Sequence, residues 1–142
     1  MPGPQVFTAP VTIREGDIDQ QGHVNNVAFV RYIQDVAVAH WRAAAPPDLQ
    51  AAFAWVVRRH EVEYLKPGLP GDALVARTWV GEASGASWER FTEVVRASDG
   101  LVLVTARTVW VLLDAATGRP RRVDPRMVES LVGGETTGGE HY

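Results

Sequence analysis

A short polar run, GDIDQQGHVNN at residues 16–26, holds the side chains best suited to chemistry. It contains two carboxylates, Asp17 and Asp19, and an imidazole, His23, directly before an apolar stretch. A carboxylate and an imidazole can act as a general base, a nucleophile or a polar assistant. If the apolar stretch is a helix, its free N–H groups and positive dipole end favour developing negative charge. Together these are the components of an acyl-transfer centre.

Each residue of this run also has an ordinary structural use. Aspartates in loops most often form turns, and Gly22 supplies the backbone freedom that a turn needs. Asn25 or Asn26 is a natural N-cap, because its side-chain oxygen can accept a bond from a free N–H group of the first helical turn. The spacing alone therefore indicates a candidate centre and leaves a purely structural loop as the alternative.

Hydrophobic spacing predicts the elements that must position the run. A β-rich stretch at residues 6–13 precedes it. A helix follows, with apolar side chains around nearly its whole circumference, and Pro46 and Pro47 end it. A helix this apolar needs a sheet curled around it.

Four β-branched and aromatic segments then follow, at residues 53–65, 72–83, 87–97 and 101–114. Short glycine- and proline-containing gaps separate them, which predicts a largely antiparallel meander. Asp124 and Pro125 predict the N-cap and first turn of a short helix through Leu131. We expect residues 132–142 to form a flexible tail.

The composition narrows the possible classes of protein. With 142 residues, 46% of them hydrophobic and 22% charged, the chain is typical of one globular domain. A net charge of −3 argues against binding to nucleic acid. The absence of cysteine excludes a thiolate nucleophile, and we expect no metal site and no cofactor. The sequence shows no secretory signal or apolar run of membrane length, so the cytoplasm is the expected location.

Beginning at Arg14, the pattern R-x-x-D-x-D-x-x-G-H-V-N-N resembles the 4-hydroxybenzoyl-CoA thioesterase family of hotdog-fold proteins. The segments VEYLKPGLPGD (62–72) and TVWVLLDAATGRPRRVDP (108–125) are similar to later parts of the same family. The resemblance implies an α+β hotdog fold over residues 1–131. In that fold a curved antiparallel five-stranded sheet wraps a long central helix.

The same resemblance implies hydrolysis of an acyl thioester by a homodimer or homotetramer. In the family the second aspartate of the D-x-D pair is catalytic, which corresponds to Asp19 as base or nucleophile. The oxyanion donor is a backbone N–H at the start of the helix, here Asn26, with His23 beside it and Asp17 shaping the loop. A thiol with a pKa of about 8.5 leaves readily, so one carboxylate and one oxyanion donor can suffice.

The resemblance also implies substrate contacts, some in the polar run and some on a later strand. Gly22 and Asn25 are expected to border the substrate, while Trp88 and Arg90 could contact the adenine or phosphates of CoA, with packing as their alternative role. The HVNN form is also similar to plant acyl-carrier-protein thioesterases, which have an asparagine two residues before the histidine. Gln21 stands at that position here, so the acyl carrier remains either CoA or a carrier protein.

Two other functions compete with hydrolysis. Hotdog hydratases resemble D-x-N-P-x-H, with aspartate and histidine five residues apart. In this chain Asp19 and His23 are four apart, without the asparagine or proline, which favours a thioesterase. A non-catalytic acyl-CoA-binding or regulatory domain would use the same pocket, and only turnover separates it from an enzyme.

Overall fold

The computed structural model describes residues 5–133. The strands are β1 (Phe7–Val11), β2 (Phe53–Tyr64), β3 (Leu74–Ser84), β4 (Ser87–Arg96) and β5 (Val102–Asp114). The helices are α1 (Asn26–Ala44), α2 (Pro47–Ala52) and α3 (Pro125–Val128), with a 3-10 turn at Glu15–Asp17 and a π-type turn at Glu129–Gly133. The predicted long helix and the four later strands are present, with strand ends within about two residues of those predicted.

The five strands form one antiparallel sheet in the order β1-β3-β4-β5-β2. Strands β3, β4 and β5 form the predicted meander, and Gly85 and Gly100 take positive φ angles of 60° and 74° in its turns. The predicted hairpin between β2 and β3 is wrong, because β2 pairs with β5 at the far edge. The segment between β2 and β3 is too long for a tight hairpin, and its Gly68 carbonyl accepts a bond of 2.8 Å from Val24 N–H just before α1.

Helix α1 lies against the sheet through a buried face. Phe29 and Ile33 are 2% and 1% exposed, and they pack with Leu74, Leu103 and Val104 from the sheet. Burying each of these large side chains stabilises the fold by about 2 kcal/mol. The packing fixes where α1 begins, and with it the position of the polar loop before it.

Two details at the helix ends differ from the prediction or complete it. The short helix α2 was missed: the prolines that end α1 also start α2, since Pro47 occupies its first turn. The predicted cap at Asp124 is confirmed by a bond of 3.0 Å from Met127 N–H to its carboxylate.

Residues 134–142 of the predicted tail lie outside the described residues. Within residues 5–133, none of the helices combines the length and apolar character needed to cross a membrane.

Candidate active site

The loop before α1 is closed by its own backbone. Ile18 and Val24 form an isolated antiparallel bridge. Asp19 N–H donates to the carbonyl of His23 at 2.8 Å, and Gly22 N–H donates to the carbonyl of Asp19 at 3.0 Å. Gly22 has a φ of +80°, a conformation that side chains disfavour. The loop therefore turns back at Gly22 and sets Asp19 opposite His23, three residues before the helix.

The Asp19 carboxylate is exposed but held in place by the loop. Its Oδ1 accepts bonds from Gln21 N–H at 2.9 Å and from His23 N–H at 3.1 Å. Its Oδ2 accepts no hydrogen bond from any residue in the described range 5–133. Asp19 thus presents one oriented oxygen with its lone pairs available.

The first turn of α1 offers free donors. Of the two predicted cap candidates, Asn25 is the N-cap: its Oδ1 accepts a hydrogen bond from Ala28 N–H at 2.7 Å. The N–H groups of Asn26 and Val27 donate to no acceptor among residues 5–133, and both residues are exposed. Two free N–H groups at a helix start are suited to binding an oxyanion.

Asp17, by contrast, is buried and fully engaged in structure. Its Oδ2 accepts bonds from Arg31 Nη2 at 2.6 Å, Tyr32 OH at 2.6 Å and Arg14 N–H at 2.9 Å. The Arg31 hydrogen bond, helped by Tyr32 and Arg14 and opposed by burial, holds the pKa of Asp17 well below its ordinary value. Burial and the bond to Asp17 raise the pKa of Tyr32. This carboxylate therefore ties the loop to α1.

Arg31 and Tyr32 are the site residues that the sequence interpretation did not assign to the loop. Helical side chains tilt toward the N-terminus, so Arg31 and Tyr32, the sixth and seventh residues of α1, can reach back to the preceding loop. The presence of an arginine and a tyrosine at that distance from the loop was the sequence feature that could have predicted their bonds to Asp17. Tyr64 was also missed: its hydroxyl donates to the carbonyl of Asn26 at 3.1 Å, which fixes the end of β2 beside the helix start.

The remaining predicted residues are placed as follows. The half-buried His23 lies in the loop, and its imidazole makes no hydrogen bond to any residue within 5–133. Trp88 and Arg90 are 3% and 6% exposed on the inner side of β4, where Arg90 bonds to His40 on α1. His40 is 14 residues beyond Asn26 on the helix, roughly 21 Å at 1.5 Å per residue. The structure does not bring Trp88 and Arg90 to the Asp19 loop of the same chain.

Comparison with known proteins agrees with this fold. A family model described as the thioesterase-like superfamily matches residues 13–131. The chain belongs to this superfamily. The five-stranded antiparallel sheet around α1 also confirms the expected hotdog fold.

The individual relatives share between 24% and 28% of their residues with this chain. A thioesterase of Thermus thermophilus, solved in complex with coenzyme A and zinc, shares 28% identity and a TM-score of 0.76, over 88% of this chain and 90% of that one. A predicted thioesterase of Bacillus stearothermophilus has 24% identity and the same TM-score, over 89% and 93%, and shows the shared fold. The chloroplast palmitoyl-acyl carrier protein thioesterase of Gossypium hirsutum is 25% identical over 127 residues, 83% of this chain. The match spans only 31% of that longer protein.

The cap at Asn25 gives a first prediction. Asn25→Ala removes the acceptor of Ala28 N–H and should lower the free energy of unfolding by about 1 kcal/mol. Asn25→Ser should retain most of that stability, since serine also caps helices. Urea unfolding of both variants measures the difference. Equal stability of the two variants would contradict the assignment of the cap.

Proposed function

We propose that this protein hydrolyses an acyl-CoA or acyl-carrier-protein thioester to a free acid and a thiol, with Asp19 as the base or nucleophile. One observation supports this most strongly. An exposed carboxylate, fixed through one oxygen, lies on a loop that leads within a few residues to two unpaired helix N–H groups. These are the two groups needed for attack on a thioester carbonyl and for holding the resulting oxyanion.

In the general-base route, Asp19 Oδ2 removes a proton from water while the water oxygen bonds to the carbonyl carbon. The carbonyl oxygen becomes an oxyanion and accepts bonds from Asn26 N–H and Val27 N–H. The C–S bond then breaks, the thiolate leaves, and the proton passes from Asp19 to the thiolate. One such donor contributes roughly 3 kcal/mol to the stability of the transition state.

In the nucleophilic route, Asp19 Oδ2 itself bonds to the carbonyl carbon and expels the thiolate. Water then hydrolyses the mixed anhydride: one water proton stays on the released acid, the other passes to the thiolate to give the thiol, and the carboxylate is restored. Rapid quenching followed by mass spectrometry separates the routes, because only this route adds the mass of the acyl group to the peptide that contains Asp19.

The surroundings of Asp19 suggest roles for the other predicted residues. Gly22 allows the turn, and Asn25 orients the first helical turn. The unpaired imidazole of His23 is free to contact the substrate or a water molecule. The acyl carrier is proposed from the relatives: the Thermus protein was solved with coenzyme A, and the plant relatives are named for an acyl carrier protein.

Thiol release from a panel of acyl-CoAs and acyl-carrier-protein thioesters tests the proposal. Turnover of at least one member supports hydrolysis and identifies the carrier. Absence of turnover across aromatic, short-chain and long-chain members, combined with binding of CoA, would instead support a non-catalytic binding domain.

We also propose that the protein forms a homodimer, or a homotetramer of such dimers, through α1 and β2. Strand β2 is at the edge of the sheet, and its outer side pairs with no other strand in the described range. Gln34 Nε2 on α1 lies 3.4 Å from His60 Nε2 on β2, so the two elements share one surface. Val38 and Val56 on these elements are 38% and 44% exposed. A long, partly apolar edge strand presents unpaired backbone N–H and C=O groups, which favours pairing with a second chain.

Charges on this surface should separate the subunits. The double variant Val38→Glu/Val56→Glu is expected to sediment as a monomer, because two buried carboxylates per subunit would lack partners at the interface. Leu69→Glu is the matched control: Leu69 is 41% exposed, lies on the segment after β2, and should leave the assembly intact. A wild-type monomer, or a double variant with the mass of the wild-type assembly, would contradict the proposal.

A further inference from the structure

A cavity lies at the other end of α1 from the Asp19 loop. Its volume is about 380 Å³, within the range of small-molecule sites. Four tryptophans line it, on α1, β2, β4 and β5: Trp41, Trp55, Trp88 and Trp110. Trp55 meets Trp41 edge-on, with ring centroids 5.7 Å apart, and meets Trp88 at 6.1 Å. Walls of this kind favour a flat, aromatic ligand.

Arg90 brings an uncompensated charge to this cavity. It lines the cavity and is only 6% exposed. Its Nη1 donates to His40 Nδ1 at 2.9 Å and to Thr78 Oγ1 at 3.0 Å, and no carboxylate among residues 5–133 pairs with it. Burial lowers its pKa to about 10, which still leaves the guanidinium charged at neutral pH. A buried charge without a counter-ion is costly.

His40 does not relieve that cost. It is fully buried, and because Nδ1 accepts from Arg90, its proton must be on Nε2. Burial, reinforced by the nearby charge of Arg90, lowers the pKa of His40 to about 3. The imidazole is therefore neutral and supplies no negative charge to the guanidinium.

Two further polar side chains of the cavity matter here: Trp110 is an unpaired donor, and Glu89 is an acceptor that other residues already occupy. Trp110 Nε1–H is buried and has no hydrogen-bond partner in the described part of the chain. Glu89 also lines the cavity, but its carboxylate is held by Arg107 Nε at 3.0 Å and by Glu82 N–H at 3.0 Å. Trp110 Nε1–H, and the N–H groups of Arg90 other than those on Nη1, therefore have no acceptor among residues 5–133.

From this we infer that the cavity binds a planar aromatic carboxylate. The aromatic ring lies among the tryptophans, and the carboxylate accepts bonds from the Arg90 guanidinium and Trp110 Nε1–H. Arg42 also lines the cavity but is exposed to solvent, so Arg90 is its one buried guanidinium. One buried guanidinium matches one negative charge, which favours a monoanionic acid over the several phosphates of a nucleotide. This inference goes beyond the proposed hydrolysis and does not depend on it, since binding is measured without a thioester.

Calorimetric titration of the whole protein with 2-naphthoate and with its neutral counterpart, 2-naphthamide, tests the inference. Val38 and Ala54 line the cavity, and Val38 belongs to the surface proposed for the dimer, so the assembled protein is used. We expect 2-naphthoate to bind about tenfold more tightly than 2-naphthamide, the scale of one hydrogen bond to a charged group. Coenzyme A should not displace the naphthoate.

Two variants identify the groups responsible. Arg90→Gln should remove the preference for the anion over the amide, and Arg90→Lys should keep part of it. Trp110→Phe preserves the ring but not the N–H, and should weaken naphthoate binding about tenfold. Trp79→Phe is the control, because Trp79 stacks on Phe91 and does not line the cavity. No binding to the wild type, equal binding of the two probes, displacement by coenzyme A, or unchanged binding in Trp110→Phe would overturn the inference.

Discussion

Replacing Asp19 by asparagine is expected to lower kcat for thioester hydrolysis by a hundredfold or more, the scale of losing a principal catalytic group. The amide can keep an oxygen in the place of Oδ1, so it can still accept from Gln21 N–H and His23 N–H and preserve the turn. It has no basic or nucleophilic second oxygen. KM should change little, because the loop and the helix start remain in place. Thiol release at saturating substrate measures the loss.

The matched control for this variant is Asp114→Asn. Asp114 also organises a turn through its Oδ1, which accepts from Ala116 N–H at 2.9 Å and Thr117 N–H at 3.1 Å. It lies at the end of β5, and its partly exposed ion pair with Arg121 contributes little to stability. Activity within about twofold of wild type is expected. Full activity in Asp19→Asn would move the chemistry away from Asp19, and equal losses in both variants would indicate a general effect of changing turns.

The second large effect is on stability, at Asp17. Asp17→Asn should lower the free energy of unfolding by about 3 kcal/mol, because three donors converge on Oδ2 and the Arg31 charge loses its partner. This is the lower end of the range for breaking a buried ion pair, since the Arg31 side chain is 34% exposed. Urea unfolding near neutral pH measures the change.

A surface ion pair of nearly equal length provides the comparison. Arg77 and Glu93 are 2.7 Å apart, but their side chains are 41% and 28% exposed. Glu93→Gln should cost less than about 1 kcal/mol. Similar losses in Asp17→Asn and Glu93→Gln would mean that burial of Asp17 contributes nothing special, against the role assigned to it.

The low pKa of Asp17 also fixes the sign of a pH dependence. Its folded pKa is below the ordinary value of 3.8, chiefly because of the Arg31 hydrogen bond. The stabilisation is therefore fully present above that value and is lost as the pH falls below it. The difference in stability between wild type and Asp17→Asn should be constant from pH 7 to about pH 5 and shrink in more acidic solution.

Much of this architecture follows from local patterns in the sequence. Alternation and glycine turns located β3, β4 and β5, and the Asn25–Asn26 pair located the start of α1, because those features are decided by neighbouring residues. The position of β2 was not recoverable in this way. Its pairing with β5 depends on how the chain crosses the sheet after Tyr64, which is a matter of tertiary packing.

The features of the candidate site also divide into those fixed by local contacts and those that depend on tertiary packing. The turn at Gly22 and the cap at Asn25 use local contacts, so the motif was enough to predict the turn and to limit the cap to Asn25 or Asn26. The hydrogen bonds to Asp17 require Arg31 and Tyr32 to reach back from the helix, and the sequence shows only that they are on it. The inward position of Arg90 was hidden for another reason: an arginine on a strand is usually exposed, and here a cavity receives it.

The most direct test of the central claim is a crystal structure of the Asp19→Asn variant with an unhydrolysed acyl thioester bound. The account predicts the thioester carbonyl oxygen about 3 Å from Asn26 N–H, with the carbonyl carbon facing the side chain at position 19. A thioester bound away from the start of α1, with its carbonyl oxygen out of reach of Asn26 and Val27, would contradict the assignment of the active site.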